Sequence, residues 1–342
     1  MSEFLISIIM PTYNSEKTIE KSLQSIRRQT IDQSQVEILI LDGGSKDATL
    51  AIAAKYNANI LKNERKLPEF AKQQGLMAAK GKYGIFIDSD ESFANMESLK
   101  RRIDFLHKHP KVKNVVSSGQ ICVDSESGVN RYANYIGDPF SNFVYRYNGY
   151  NRIEDLTRQY QHKKTDNAYI LKFDKDDTLP LFDALGNMFD IEYARQLYYE
   201  TKNKSFAANI FSNMVQHTGC AAVMLDDYIY HQPGLTTKAY LTKLRWRVKN
   251  NLFQDEGVGY RERSKTDTKL KKRQYLYVPY CLLILPVLMD SIRMVYTNRD
   301  RWFIRHILFA EYVLFMIVWY TFLKMIHYPV KMDKTYGKKE PL

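Results

Sequence analysis

Residues 84–92 read G-I-F-I-D-S-D-E-S, three bulky apolar residues running into two aspartates with one serine between them. Side chains alternate faces in an extended segment, so a strand carried through this stretch would point Asp88 and Asp90 to the same side, with oxygens close enough to repel. Such a pair calls for a positive partner. The alternative is a strand that stops in an Asp/Ser turn. The same apolar-then-polar pattern recurs upstream. Residues 5–10 form a β-rich apolar run leading into P-T-Y-N, 15–28 place Ile19, Leu23 and Ile26 at helical spacing, and 36–41 form a second buried strand ending in D-G-G-S-K-D. A helix over 48–56, a short strand over 59–61 and a helix over 69–79 continue the alternation. Strands separated by helical patterns predict βαβ units, a mostly parallel sheet flanked by helices, and ligand binding at the carboxyl ends of the strands. Polar residues at one such end are ordinary loop chemistry. Three on one rim (P-T-Y-N, Asp42 and D-S-D) point to a ligand site.

The chain has 342 residues, 45% hydrophobic and 26% charged, with a formal net charge of +12. That is enough for one large or two smaller globular domains, and it excludes wholesale disorder. Cys122, Cys220 and Cys281 are odd in number and far apart, which fits neither a disulfide framework nor a paired zinc motif, so a reducing compartment is expected. The apolar run at 4–10 is short, lacks a basic flank and leads straight into P-T-Y-N, so no signal peptide is expected. The Asn203-Lys204-Ser205 sequon is then accidental. The basic excess is uneven: K-L-K-K-R at 269–273, N-R-D-R at 298–301 and the lysines from Lys324 onward bracket the two most apolar stretches, a pattern that suits an anionic membrane surface. Nucleic acid is the rival partner for so basic a chain. No recognition helix, zinc spacing or aromatic RNA-binding motif supports it.

The runs S-I-I-M-P-T-Y-N-S-E (7–16), I-L-I-L-D-G-G-S-K-D-A-T (38–49) and A-K-Q-Q-G-L-M-A-A-K-G-K-Y-G-I-F-I-D-S-D-E (71–91) resemble, in order and spacing, the nucleotide-sugar domain of the family 2 inverting glycosyltransferases. The resemblance is specific over roughly the first 110 residues. It implies the GT-A fold, a nucleoside-diphosphate sugar donor, usually a uridine one, and a Mg²⁺ or Mn²⁺ ion on the D-x-D. By the same resemblance Asp90 is a metal ligand and Asp88 lies on the metal or the ribose, with Ser89 between them at the nucleotide. Asp42 accepts a hydrogen bond from the base, Pro11 and Tyr13 form the wall on which the base rests, and Glu16 and Lys72 line the nucleotide and its phosphates. One departure is visible: A-K-Q-Q-G stands where the family has A-R-N-x-G, putting Gln73 in place of asparagine. The chemical logic is independent of the resemblance. A departing diphosphate accumulates negative charge, and a divalent cation on hard carboxylate ligands neutralises it where it develops.

Past residue 110 the pattern thins. A-L-G-N-M-F-D-I at 184–191 resembles the segment beneath the donor sugar, making Gly186 and Asn187 candidate sugar contacts, although Gly-Asn is also common turn chemistry. The aromatic-rich region 132–150 is either core or the lining of an acceptor groove. C-A-A-V-M-L-D-D-Y-I-Y-H (220–231) resembles the late strand whose histidine, here His231, helps hold the metal or diphosphate. K-L-R-W-R at 243–247 resembles the end of a Q-x-x-R-W motif, with Thr242 where glutamine would stand. Arg245 is then a candidate diphosphate clamp and Trp246 a candidate acceptor platform, and the alternative is an amphipathic interface helix. Q-D-E-G-V-G-Y-R-E-R at 254–263 has the composition of a mobile lid. The carboxylate that deprotonates the acceptor is missing. In the family it falls in an E-D pair about eleven residues before a helix-ending glycine, and counting back from Gly219 gives Ala207 and Ala208. Either the acceptor is an already anionic phosphate, or the chain is a non-catalytic homologue, or the base has been replaced at Ala208. A shifted register with Asp190 as the base is the remaining alternative.

Residues 275–289 and 312–323 carry no charge, but each is shorter than the ~20 residues needed to cross a bilayer upright. Arg299, Arg301 and Arg305 lie in the connection, which the positive-inside rule keeps cytoplasmic. A re-entrant or interfacial helical pair competes with a two-span hairpin. The expected organisation is a glycosyltransferase domain over 1–235 (nucleotide-sugar half 1–110, acceptor half 111–235), an amphipathic helix and flexible loop over 236–273, a membrane-inserted or interfacial helical pair over 274–330, and a basic tail over 331–342. The expected function is metal-dependent sugar transfer, at the cytoplasmic face of the cell membrane, to a lipid-linked saccharide or polyprenyl-linked acceptor in cell-surface glycan assembly.

Overall fold

The structure, a computed structural model, describes residues 3–123, 125–145, 153–180, 182, 186–202, 206–253 and 267–331. The expected lid at 254–263, the Asn203–Ser205 sequon and all but Lys331 of the expected tail lie outside the described residues. The chain divides into two compact units: Met1–Ile121 with Asn151–Pro233, and Cys122–Tyr150 with Gly234–Leu342.

The first unit is built on strands β1 (Phe4–Thr12), β2 (Val36–Asp42), β3 (Asn59–Lys62), β4 (Gly81–Phe86), β5 (Glu91–Phe93), β6 (Asn114–Val116), β7 (Gly119–Ile121), β8 (Gln161–Lys164), β9 (Ala168–Lys172), β10 (Met188–Asp190), β11 (Cys220–Met224) and β12 (Tyr228–His231). Nine of them form one sheet in the order β3-β2-β1-β4-β10-β6-β11-β9-β8. The first four are parallel, as the βαβ alternation predicts. Beyond β4 the pairing becomes mixed, because β10 enters antiparallel between β4 and β6, and β9 pairs antiparallel with both β11 and β8. Every residue of β2 is buried, as expected of a strand covered on both faces.

Helices α1 (Ile19–Arg27), α2 (Thr49–Lys55), α3 (Pro68–Ala78) and α4 (Ser98–Lys108) cover the two faces. The period-two alternation of β1 sorts its side chains between them: Ile6, Ile8 and Met10 join a cluster with Leu23, Ile26 and Leu99, whereas Ile9 joins one with Ala71 and Leu76. α3 approaches β1 so closely that a Cβ at Gly75 would lie 2.2 Å from Ile9 Cγ2. Glycine is what permits that contact. A separate three-stranded sheet, ordered β5-β12-β7, sets His231 opposite Glu91.

The second unit is helical, with α5 (Gly128–Ile136) and α6 (Pro139–Tyr145) from its first segment. Among its other helices are α10 (Thr237–Phe253), α11 (Thr268–Leu282), α12 (Leu285–Asn298) and α13 (His306–Met325); α7 (Ile153–Gln159), α8 (Ile191–Thr201) and α9 (Ile210–Thr218) belong to the first unit. Its centre is the buried ring of Tyr132, packed against Tyr240, Trp302 and Phe309, with its hydroxyl 2.7 Å from His306 Nδ1. The aromatics at 132–145 that are described are therefore largely core. Helix Arg301–Met325 is long and apolar enough to cross a membrane, and α11 and α12 form a pair bent by 92° at their junction.

Candidate active site

The site lies in the first unit, at the carboxyl ends of β1, β2 and β4, which are neighbours in the sheet. The three loops that leave these ends are stitched together by hydrogen bonds. Asn14 N–H donates to Ser45 Oγ (2.9 Å), Lys46 N–H donates to Asn14 Oδ1 (2.9 Å), and Ser15 N–H donates to Thr49 Oγ1 (2.7 Å), joining the P-T-Y-N-S loop to D-G-G-S-K-D-A-T. Ser89 Oγ donates to Ser15 Oγ (2.8 Å), joining the D-S-D segment to the same loop.

Tyr13 lies against Gly43, whose added Cβ would sit 3.4 Å from the ring. Asp42 closes its own turn, accepting from Gly44 N–H at 2.9 Å and from Ser45 Oγ at 2.6 Å. Glu16 accepts from the N–H of Ala48 (3.1 Å), the residue just before α2. Pro11 is half-buried at the end of β1 beside them. On α3, the Lys72 ammonium sits 5.5 Å from the centroid of the Phe86 ring, and the Gln73 amide has both polar atoms buried without a hydrogen-bond partner.

D-S-D does not continue the strand. β4 ends at Phe86, and Asp88–Asp90 form a turn closed by Glu91 N–H donating to Asp88 O (3.0 Å). The strand alternation that would place both aspartates on one side therefore does not apply to them. Glu91, which the sequence reading left out, holds this turn: its Oε2 accepts from Asp88 N–H (2.9 Å) and its Oε1 from Gln120 Nε2 (2.7 Å). Burial, then the neighbouring Asp88 charge, pushes the Glu91 carboxyl up to about 8. Asp90 Oδ2 lies 3.6 Å from His231 Nε2, and both side chains are partly exposed. Among the described residues no group of three or more His, Cys, Asp or Glu side chains is arranged to hold a metal. The Asp90–His231 pair supplies one hard oxygen and one imidazole nitrogen. A cation that takes one or two protein ligands and completes its sphere with substrate phosphate oxygens and water fits that donor set.

The Gly186–Asn187 segment is held from behind. Arg102 on α4 and Asp227, just before β12, are both fully buried and paired at 2.6 Å, with Ser98 Oγ donating to the other Asp227 oxygen (2.6 Å). Arg102 Nη1 donates to Gly186 O. Gly186 has φ +54, and Asn187 is fully buried with neither amide atom partnered. Arg102 and Asp227 are 125 residues apart in sequence, and no motif announces the pair.

Ala208 lies in the 3₁₀ turn Ala207–Asn209 that precedes α9, and α9 ends at Gly219 with φ +66. Ala207 is buried in the apolar cluster with Phe206, Ile210 and Met214. Asp190 is engaged elsewhere, capping α8 through Tyr193 N–H (3.0 Å) and pairing with Lys113 (3.1 Å). Arg245 and Trp246 belong to α10 of the second unit, where Arg245 is exposed and Trp246 buried.

This arrangement of sheet and loops is a GT-A-like α/β fold. A mannosyltransferase from Pyrobaculum calidifontis, solved with GDP-Man and Mn²⁺, has the same fold with a TM-score of 0.51 over 92% of this chain and 87% of that one, at 14% identity. Residues 7–163 match the model of Glycosyl transferase family 2. The poly(ribitol-phosphate) beta-N-acetylglucosaminyltransferase TarS of Staphylococcus aureus is 34% identical over 109 residues, covering 30% of this chain and 19% of that protein. The Escherichia coli UDP-Glc:alpha-D-GlcNAc-diphosphoundecaprenol beta-1,3-glucosyltransferase WfgD is 33% identical over 125 residues, covering 33% of this chain and 49% of that protein. The matched segment thus spans about a fifth to a half of the length of these relatives.

Proposed function

We propose that the chain transfers a sugar, with inversion, from a nucleoside-diphosphate sugar to a lipid-linked saccharide or polyprenyl-linked acceptor at the cytoplasmic face of the membrane. The observation that carries this is the stitched rim, where the loops after β1, β2 and β4 meet beside the Asp90–His231 pair. A uridine donor is favoured by the activity of WfgD, which uses UDP-Glc and a diphosphoundecaprenol-linked acceptor. Pro11 and Tyr13 would wall the base, Asp42 with its turn would face the base edge, and Lys72 and Gln73 would contact the phosphates. Gly186 and Asn187 would form the floor beneath the sugar. A Mn²⁺ or Mg²⁺ ion held by Asp90 and His231, with Asp88 beside them, would neutralise the charge that develops on the departing diphosphate.

Inversion needs an acceptor oxygen that attacks the anomeric carbon while its proton leaves. With Ala208 at the expected base position and Asp190 engaged, this chain offers no carboxylate there, and we read Ala208 as a replaced base. The missing acid also supports a second reading, a polyprenyl phosphate acceptor that is already anionic. The test is donor binding by calorimetry with and without Mn²⁺. Asp90→Asn, which removes the anionic ligand oxygen, is expected to abolish the metal-dependent part. Unchanged Mn²⁺-dependent affinity for every nucleotide sugar would refute the metal assignment, and robust transfer by the unaltered chain to polyprenyl phosphate would select the second reading.

A further inference from the structure

The junction of α11 and α12 is an exposed apolar surface of the second unit. Leu282, Leu283, Ile284 and Leu285 are 57–67% exposed at the 92° bend. Ile284 has φ +57, a conformation that β-branched side chains rarely adopt. An isoleucine that is both strained and in water gains nothing from the fold itself. On the inner side, Tyr277, Tyr280 and Cys281 of α11 and Val287, Ser291 and Met294 of α12 are buried, and the Tyr280 hydroxyl donates to Asp290 (2.8 Å) across the bend. The bend is therefore a packed element whose apolar corner faces outward.

Moving outward from the corner, both arms carry an exposed ring and then basic charge. Tyr275 and Tyr296 are exposed nearer the far ends of the arms, and beyond them come Lys271 and Lys272 on one arm and Arg299 on the other, with Arg293 one turn nearer the corner than Tyr296. Apolar corner, aromatic ring and basic charge is the order of depths at a bilayer surface. Among described residues 267–331 every exposed acidic or basic side chain is basic. The acids are otherwise placed: Asp267 caps α11, Asp290 accepts from Tyr280, Asp300 pairs with Arg131, and Glu311 is partly buried. A second copy of the chain would bring like charges together on this surface, whereas anionic lipid would complement them. At 15 and 14 residues, each arm is about 22 Å long, short of the ~30 Å hydrocarbon core.

We propose that the α11–α12 elbow is an in-plane membrane wedge whose corner, residues 282–285, inserts into one leaflet of an anionic bilayer without crossing it. The wedge rests on the membrane placement suggested above but not on the transfer reaction, and donor binding measured in parallel separates the two. The full chain should sediment with vesicles containing phosphatidylglycerol, and about 10-fold less with phosphatidylcholine alone or at high salt. The double substitution Leu283→Asp with Ile284→Asp should lower partitioning by at least about 100-fold, with melting temperature and Mn²⁺-dependent UDP-sugar binding unchanged. Leu283→Trp should add fluorescence that brominated acyl chains quench, a readout that does not depend on the double variant folding. Unchanged partitioning of the folded double variant or absence of quenching would overturn the wedge. Concentration-dependent dimerisation abolished by the double variant, without vesicle binding by the wild type, would assign the corner to a second copy instead.

Discussion

The Arg102–Asp227 pair makes the most demanding prediction, because it ties stability and donor contact to one buried interaction. Both side chains are fully buried, 2.6 Å apart, and Asp227 also accepts from Ser98. Arg102→Met leaves the Asp227 carboxylate in the interior with only the Ser98 hydroxyl, and removing one partner of a buried pair costs about 3–5 kcal/mol. Asp227→Leu strands the guanidinium and should cost a similar amount. The double variant leaves neither charge, so it should recover at least about 2 kcal/mol relative to the sum of the singles. For a unit of about 200 residues, each kcal/mol shifts the melting temperature by roughly 2–4 °C, so each single should fall by about 6–20 °C. Urea unfolding followed by far-ultraviolet circular dichroism measures all four proteins. Because Arg102 Nη1 also holds the Gly186 carbonyl, donor KM should rise in Arg102→Met even at temperatures where the variant is fully folded. Single variants that lose less than about 1 kcal/mol, or a double variant no better than the sum of the singles, would refute the account.

Three further outcomes are expected. Gly186→Ala puts a Cβ at φ +54 and 2.3 Å from Ile229 Cδ1, so it should cost about 2–3 kcal/mol in urea unfolding, part of it recovered by adding Ile229→Val. Burial pushes the His306 imidazole down to about 3, so its folded pKa lies below the unfolded one. The stability this contributes is present above about pH 6.5 and is lost as pH falls toward 3, by up to about 1.4 kcal/mol per unit, and His306→Gln should flatten the profile over that window. Ala208→Asp should raise transfer to a hydroxyl acceptor by about 10²–10⁴-fold in a product assay with a matched donor, and no gain would defeat the replaced-base reading.

The first ninety residues were legible because their signals are local. Short apolar strands, helices with apolar spacing, and three polar strand ends all fall within short windows, and β1 to β4 appear as predicted, parallel to one another. The same local reasoning carried the strand too far at Asp88. Whether a chain continues straight or turns after Phe86 was decided by Glu91, buried against Asp88 N–H and Gln120, and the Gln120 contact spans 29 residues. β10 was equally invisible, since three residues hold no periodicity and its place between β4 and β6 is set by the sheet.

Charge and hydropathy along the chain also determined that the C-terminal third combines apolar runs with basic flanks. Tertiary structure decided how these are used. A run without charge is the same string whether it forms one straight span or breaks, and here it breaks at Ile284, where the inner faces of both arms find buried partners and the corner does not. The candidate site divides in the same way. Motif spacing named Asp42, Asp88 and Asp90, because those residues lie at or just past the ends of β2 and β4. Arg102 and Asp227 emerged only from the fold, as did the burial of Asn187 without a partner, because a buried pair is defined by exclusion of water, which sequence distance does not record.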